Sequence, residues 1–264
     1  MVRLQLIGGG KMGEALLSGV IASGWCPASD IVVVELSATR RADLEAAHPG
    51  LLTADRPGPA DGTILAVKPA DTPGMARDAA AAGGGALLSI AAGVTLAQLE
   101  SGAGDGVPVV RAMPNTPSLV GRGAAAISAG RWADDDTMAW AETLLGSVGL
   151  VVRVPESALD AVTGLSGSGP AYVFLIAEAL VEAGVVCGLP RDIAEALAVQ
   201  TLLGSATLLD QSDDGAAALR AAVTSPGGTT AAALRVLEQQ GVRAAIIDAV
   251  VAARDRSVEM GAGS

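Results

Sequence analysis

Two stretches of this 264-residue chain bring together residue types suited to holding an anion. In the first, Gly8, Gly10 and Gly13 give G-x-G-x-x-G within "IGGGKMGEALL", directly after the apolar run at residues 2–7 and at the start of a helix-favouring stretch. A strand, a glycine turn and a helix N-terminus in that order fit a dinucleotide pyrophosphate. Gly8 permits the tight turn, Gly10 lets the backbone approach the phosphates, Gly13 lets helix and strand pack closely, and the helix end faces the negative charge. In the second, "AAVTSPGGTTAAAL" at residues 221–234 interrupts alanine-rich sequence with Pro226, Gly227, Gly228, Thr229 and Thr230. Pro226 ends one helix, and the residues after it supply free amides and hydroxyls at the start of the next, where unpaired N–H groups and the helix dipole favour a carboxylate. Taken alone, a plain turn with a threonine cap reads equally well.

Two further groups bear on the dinucleotide. The second apolar run ends at Glu35, where an acidic residue holds the ribose 2′-hydroxyl of NAD. Ser37, Thr39, Arg40 and Arg41 follow at once in "ELSATRR", and hydroxyls and guanidinium groups match a 2′-phosphate in geometry and charge. That pattern predicts a preference for NADPH, with NADH as the alternative; an exposed helix start also accounts for the two arginines. Lys68 in "LAVKPAD" stands where a strand's carboxyl end opens onto the ligand crevice of an open α/β sheet, although a surface lysine stopped by Pro69 fits the same residues.

Other chemistries find less support. Ser166 and Ser168 in "TGLSGSGPAY" have no His or Asp partner in a triad pattern, and Gly164, Gly167 and Gly169 are read as a close approach of helices before Pro170 rather than as a second ligand loop. His48, the sole histidine, precedes Pro49 in a surface loop and is read as solvated. Cys26 and Cys187 form no metal or C-x-x-C pattern, so no metal site is expected, and two reduced thiols suit the cytoplasm. A net charge of −11 and 2% aromatic residues oppose nucleic-acid binding, which needs clustered cations or stacking rings. The apolar run at the N-terminus is too short for a signal peptide, and Glu178 and Glu182 within "AYVFLIAEALVEAGVV" argue against a membrane span.

The elements that must position these residues divide in two. Residues 1–155 alternate short apolar runs ("VRLQLI", "IVVVE", "TILAV", "ALLSIA", "VPVVRAM") with alanine-rich helical stretches, the pattern of parallel strands buried on both faces. "GAAAISAG" and "GLVVRV", flanking the helical segment around "DDDTMAWAETLL", extend the same sheet. This is an α/β, doubly wound, Rossmann-type domain. Residues 156–264 read as helical throughout, with long helices at 171–187, 191–209 and 229–258. Glu178 and Glu182 share one face of the first, as a solvated stripe, while apolar residues cover most of the rest. Helices this apolar cannot all be buried in so small a domain, which predicts an obligate dimer.

Taken together, "IGGGKMGEAL", "LAVKP", "SIAAGVTLAQLE", "RAMPNTPSLVGRGA", "VTGLSGSGPAYVF", "GLPR" and "SPGGTTAAALRVLE" resemble the pyrroline-5-carboxylate reductase family almost end to end. The resemblance implies hydride transfer from NAD(P)H to the carbon of a cyclic imine, giving L-proline in the last step of proline biosynthesis. It implies a Rossmann domain followed by an all-α dimerisation domain, whose dimers assemble into decamers in some members. The coenzyme contacts it implies are Gly8, Gly10, Lys11, Met12, Gly13, Lys68, Pro69 and Asn115 of "MPNTP", with Ala66 and Val67 in the same block as Lys68. The substrate carboxylate would lie on the loop of Ser225, Gly227, Gly228, Thr229 and Thr230, with Thr230 as the catalytic contact to the imine nitrogen. An acidic Glu35 departs from members with a small or polar residue there. The rivals are a related hydroxy-acid dehydrogenase, disfavoured by the lack of a Lys or His base in the helical domain, and a non-enzymatic dinucleotide-sensing dimer, which would not need the second anion loop.

Overall fold

The computed structural model describes residues 2–262. Its first half is built from β1 (Leu4–Ile7), α1 (Lys11–Ala22), β2 (Ile31–Val34), α2 (Ala38–Ala47), β3 (Leu52–Ala54), β4 (Gly62–Leu65), α3 (Thr72–Ala81), β5 (Ala86–Ser89), α4 (Leu96–Ala103), β6 (Val109–Met113), β7 (Gly123–Ala129), α5 (Asp135–Gly146) and β8 (Gly149–Arg153). The described residues form one eight-stranded sheet in the order β3-β2-β1-β4-β5-β6-β7-β8. The strands from β3 to β6 are mutually parallel, β7 runs antiparallel to β6, and β8 pairs parallel with β7. Each predicted strand is present. β3 was not foreseen: three residues with no fully buried side chain carry too little pattern to read.

Strands this short and apolar are stable because both faces are covered. On one face Leu4, Leu6, Ile64 and Leu88 pack with Leu16 and Leu17 of α1 and Leu144 and Leu145 of α5. On the other, Ile7, Leu65, Leu87 and Val109 pack with Ala76 and Ala79 of α3 and Leu99 of α4. Each fully buried leucine contributes about 1.5–3 kcal/mol, so this core is the main source of the unit's stability. Gln5, a polar residue at the centre of β1, is accommodated by its bonds: its amide donates to Thr63 Oγ1 at 3.2 Å and accepts from Gly58 N–H at 2.8 Å.

After β8 the described residues contain no further strand. A short helix α6 (Leu159–Val162) runs into a wide turn of π type at Thr163–Gly167, followed by α7 (Gly169–Val186), α8 (Arg191–Gln211), α9 (Ala216–Ala222), α10 (Thr229–Gln239) and α11 (Val242–Ala262). The single helix expected over 229–258 is therefore two. Gly241 at φ +70° takes the left-handed conformation that ends α10, a conformation glycine adopts without steric cost. The chain forms two compact units, Met1–Ser168 with Val251–Ser264, and Gly169–Val250. Within the first, Ser257 on the last helix donates to Asp160 at 2.7 Å. In the second, the buried apolar side chains among the described residues are Val181, Ala194 and Ala198. The helical stretches Glu156–Val186 and Arg191–Gln211 have mean hydropathies of 1.6 and 1.2 over their most apolar windows, of which 6% and 11% is buried, and both are long and apolar enough to cross a membrane.

Candidate active site

In the order β3-β2-β1-β4-β5-β6 the chain turns back between β1 and β4, and the crevice at such a switch point lies outside the carboxyl ends of the strands. Ile7 of β1 is level with Val34 of β2 and Leu65 of β4, so Gly8 and Ala66 stand side by side at that edge. Gly8 donates to Val34 O at 2.9 Å and Ala66 donates to Ile7 O at 2.8 Å. Gly8 has φ +106°, and a Cβ there would lie 2.5 Å from the carbonyl oxygen of Ala66, so neither its conformation nor its surroundings admit a side chain. A Cβ on Gly13 would run into the Gly8 carbonyl, which keeps α1 close against the turn. Gly10 is different: a Cβ there meets nothing within 4 Å, so the turn is open on that side. No side chain caps α1, and Glu14 N–H bonds back to Gly10 O at 2.9 Å. The amides of Lys11, Met12 and Gly13 thus face the open side with the positive end of the helix, a fit to a dinucleotide pyrophosphate.

The β2–α2 junction grips this turn through Gly9, a residue the motif spacing passes over. Glu35 accepts from Gly9 N–H at 3.1 Å and from Ser37 N–H at 2.9 Å. Arg40 donates through Nε to Gly9 O at 2.7 Å and through its terminal nitrogen to Glu14 at 2.6 Å. Both polar groups of the Gly9 peptide are held by side chains from one short segment. Arg41 donates to the carbonyls of Glu35 and Leu36, at 2.6 and 3.1 Å, and Ser37 caps α2 by accepting from Arg40 N–H at 3.3 Å. Of the four residues expected at a 2′-phosphate, Ser37, Arg40 and Arg41 are gathered beside the turn, each with a bond inside the chain. Glu14, the tether of Arg40, had no signal in the local pattern because its partner is 26 residues away.

Along the same edge, Val67 is half-buried while Lys68 and Pro69 are exposed at the end of β4. Asn115 follows β6 and is buried. Its side-chain amide donates to Ser166 O at 3.0 Å, and its oxygen accepts from Ala124 N–H at 2.8 Å. Nearby, buried Arg111 of β6 pairs with Glu156 at 2.9 Å, and the same carboxylate oxygen accepts from Leu96 N–H at 2.6 Å, at the start of α4. Sequence reasoning had singled out neither residue.

In the second unit the loop at 225–228 leads into α10. Gly228 is the N-cap, extended at φ −78°, ψ 175°, and no side chain caps the helix. Ser225 accepts through its backbone carbonyl from Gly228 N–H at 3.1 Å, and the first helical bond runs from Ala232 N–H to Gly228 O at 3.1 Å. The amides of Thr229, Thr230 and Ala231 precede that bond and point out of the helix end. Thr230 is half-buried; Ser225, Gly227 and Thr229 are exposed. Across the break at Gly241, Arg243 bonds Glu238 at 2.6 Å, which holds that carboxyl below its ordinary value.

Comparison with known proteins agrees with this arrangement along the whole chain. Residues 156–260 match the family model described as pyrroline-5-carboxylate reductase dimerisation, and residues 3–93 match one described as NADP oxidoreductase, coenzyme F420-dependent. A pyrroline-5-carboxylate reductase of Synechocystis is 45% identical over 267 residues, covering 98% of each chain. Among solved structures, the pyrroline-5-carboxylate reductase of Coxiella burnetii superposes with a TM-score of 0.91 at 36% identity, over 98% of each chain. The pyrroline carboxylate reductase of Plasmodium falciparum, solved with NADP bound, gives 0.85 at 29% identity, over 98% of each chain. A glycine turn at a sheet's switch point, an uncapped helix in an all-helical second unit, and identity of this extent lead to one conclusion: the chain belongs to the pyrroline-5-carboxylate reductase family.

Proposed function

We propose that this protein reduces 1-pyrroline-5-carboxylate to L-proline with NADPH, the last step of proline biosynthesis, as a homodimer in the cytoplasm. The observation that carries the reading is the 45% identity to a reductase of this name over 98% of each chain. Residues 1–155 serve as the dinucleotide domain and residues 156–264 as the substrate and dimerisation domain. The open side at Gly10, with the amides of Lys11, Met12 and Gly13, receives the pyrophosphate. Ala66, Val67, Lys68 and Pro69 form the wall at the end of β4. Ser37, Arg40 and Arg41 lie where the 2′-phosphate would be met.

When bound, the dinucleotide supplies a hydride to the C=N carbon, and the ring nitrogen keeps the proton it carried in, giving the secondary amine of proline. The chain's own part is to bind and orient. Gly228, Thr229 and Thr230 hold the substrate carboxylate at the uncapped start of α10, and the Thr230 hydroxyl meets the ring nitrogen. Exposed apolar residues on α7 and α8, such as Leu175, Leu197 and Leu203, are covered by a second copy of the chain.

The test is oxidation of NADPH and of NADH, measured separately, with pyrroline-5-carboxylate as the acceptor. Turnover with formation of proline is expected, faster with NADPH. Dinucleotide binding without turnover would overturn the enzyme in favour of a sensor, and oxidation of a hydroxy acid in place of imine reduction would overturn the substrate.

A further inference from the structure

We propose that Asn115 is a positioning residue, which clamps the π turn at 163–167 to the carboxyl edge of the sheet and so fixes the wall beside the reaction, without touching the dinucleotide itself. The argument begins with Pro170. In a regular helix the carbonyl of Ser166 would accept from the N–H four residues on, and residue 170 has none to give. A carbonyl stripped of its helical donor in a half-buried position needs another. Asn115 provides it: Nδ2 donates to Ser166 O at 3.0 Å, while Oδ1 accepts from Ala124 N–H at 2.8 Å. One amide thereby joins the end of β6, the start of β7 and the turn.

The turn is wide at this point because Ser168 N–H bonds Thr163 O, five residues back, at 2.8 Å. Such single-turn widenings recur at functional sites, where they move a helix face out of register with the turn before it. The turn also sits hard against the strand: a Cβ added to Gly167 would lie 2.5 Å from Met113 Cε at the end of β6. β6 runs parallel to β5, and β5 to β4, so Met113 and Asn115 stand at the same edge as Gly8 and Ala66. With both ends of its amide engaged and 9% of its surface exposed, Asn115 has the position of a coenzyme ligand and the bonding of a clamp.

The inference rests on the reductase reading, which wild-type turnover tests separately. The experiment is a double-mutant cycle of Asn115→Leu and Pro170→Ala, read by kcat and KM for the imine, by NADPH affinity from fluorescence, and by Tm. Asn115→Leu should lower kcat by about tenfold while NADPH affinity stays within about threefold of wild type. Pro170→Ala restores an N–H at position 170, so in the Asn115→Leu background it should recover most of the lost kcat and Tm, while alone it changes kcat by less than about threefold. If Asn115→Leu does not fold, Asn115→Asp keeps the acceptor for Ala124 and loses the donor to Ser166, and the same pattern is expected. Loss of NADPH affinity in step with kcat and no rescue by Pro170→Ala would overturn the clamp in favour of direct coenzyme contact. An unchanged kcat in Asn115→Leu would overturn it as well. Should the wild-type protein reduce no imine, the reductase reading fails, and additive changes in Tm would then overturn the clamp on their own.

Discussion

Leu87 and Leu175 are the same residue in similarly apolar runs, yet Leu87 is fully buried in the sheet and Leu175 is 67% exposed on α7. The contrast extends to the units that hold them. The first unit closes two cores of its own, one on each face of the sheet, whereas the second leaves Phe174, Leu175, Leu197 and Leu203 in contact with solvent. Apolar composition therefore does not say where burial comes from. In the first unit it comes from the fold, and in the second the proposed association would supply it, since an exposed patch of this kind marks an interface.

The sharpest way to break the comparison is to put charges where association should bury leucine. Leu175→Glu with Leu203→Glu should abolish the dimer and the activity together, since each buried unpaired charge costs far more than the interface gains from one side chain. Light scattering on the wild-type and doubly substituted proteins across a dilution series reads this directly. A wild-type protein that stays monodisperse, monomeric and active would remove the contrast altogether.

The next effect belongs to the self-sufficient unit. Gly8→Ala meets both a forbidden φ and the Ala66 carbonyl, and should cost about 3 kcal/mol or more of stability in a denaturant titration. Gly10→Ala, with open space before it, should leave the unfolding curve nearly unchanged and weaken NADPH binding. Equal losses of stability in the two variants would mean that the turn's role is structural throughout.

Thr230→Val probes the other unit. It preserves shape and removes one hydroxyl, so kcat/KM for the imine should fall by the equivalent of about 1–3 kcal/mol while NADPH affinity is kept. Steady-state kinetics paired with a fluorescence titration decides it, and an unchanged kcat/KM would reduce the loop to a turn. Proline, which shares the ring and the carboxylate, is expected to act as a weak product inhibitor in the same assay.

The smallest effect is expected at Arg40, which is partly solvated and already paired with Glu14. Arg40→Ala should lower NADPH kcat/KM by the equivalent of about 1 kcal/mol. If the guanidinium serves the 2′-phosphate, the loss is confined to NADPH. If it serves only to hold the Gly9 carbonyl, NADH loses as much, and Glu14→Gln reproduces part of the effect.

Much of this was legible in the residues. The strand runs, the glycine turn and the helix break at Pro226 are local patterns of period or punctuation, and the structure has them where the sequence places them. What escaped is what depends on distance. β3 is too short for a pattern, and the break at Gly241 looks like one tolerated glycine within a long helical run. The bonds from Glu35 to Gly9, from Glu156 to Arg111 and from Asn115 to Ser166 span 26, 45 and 51 residues, and no window along the chain contains both partners. The family resemblance marked Asn115 but could not say which way its amide turns.

The sparse burial of α7 and α8 also bears on how the protein is made. A chain whose first unit can complete itself should fold that unit at a rate independent of concentration, with secondary structure and sheet packing appearing in a first-order phase. In the proposed dimer the long helices gain a comparable partner only when a second chain arrives, so recovery of activity should follow in a bimolecular phase that quickens in proportion to protein concentration. During the interval their apolar faces are open to any similar surface, and dilute refolding favours waiting while crowded refolding favours aggregation. Yield from a refolding tank, plotted against concentration, should therefore pass through a maximum.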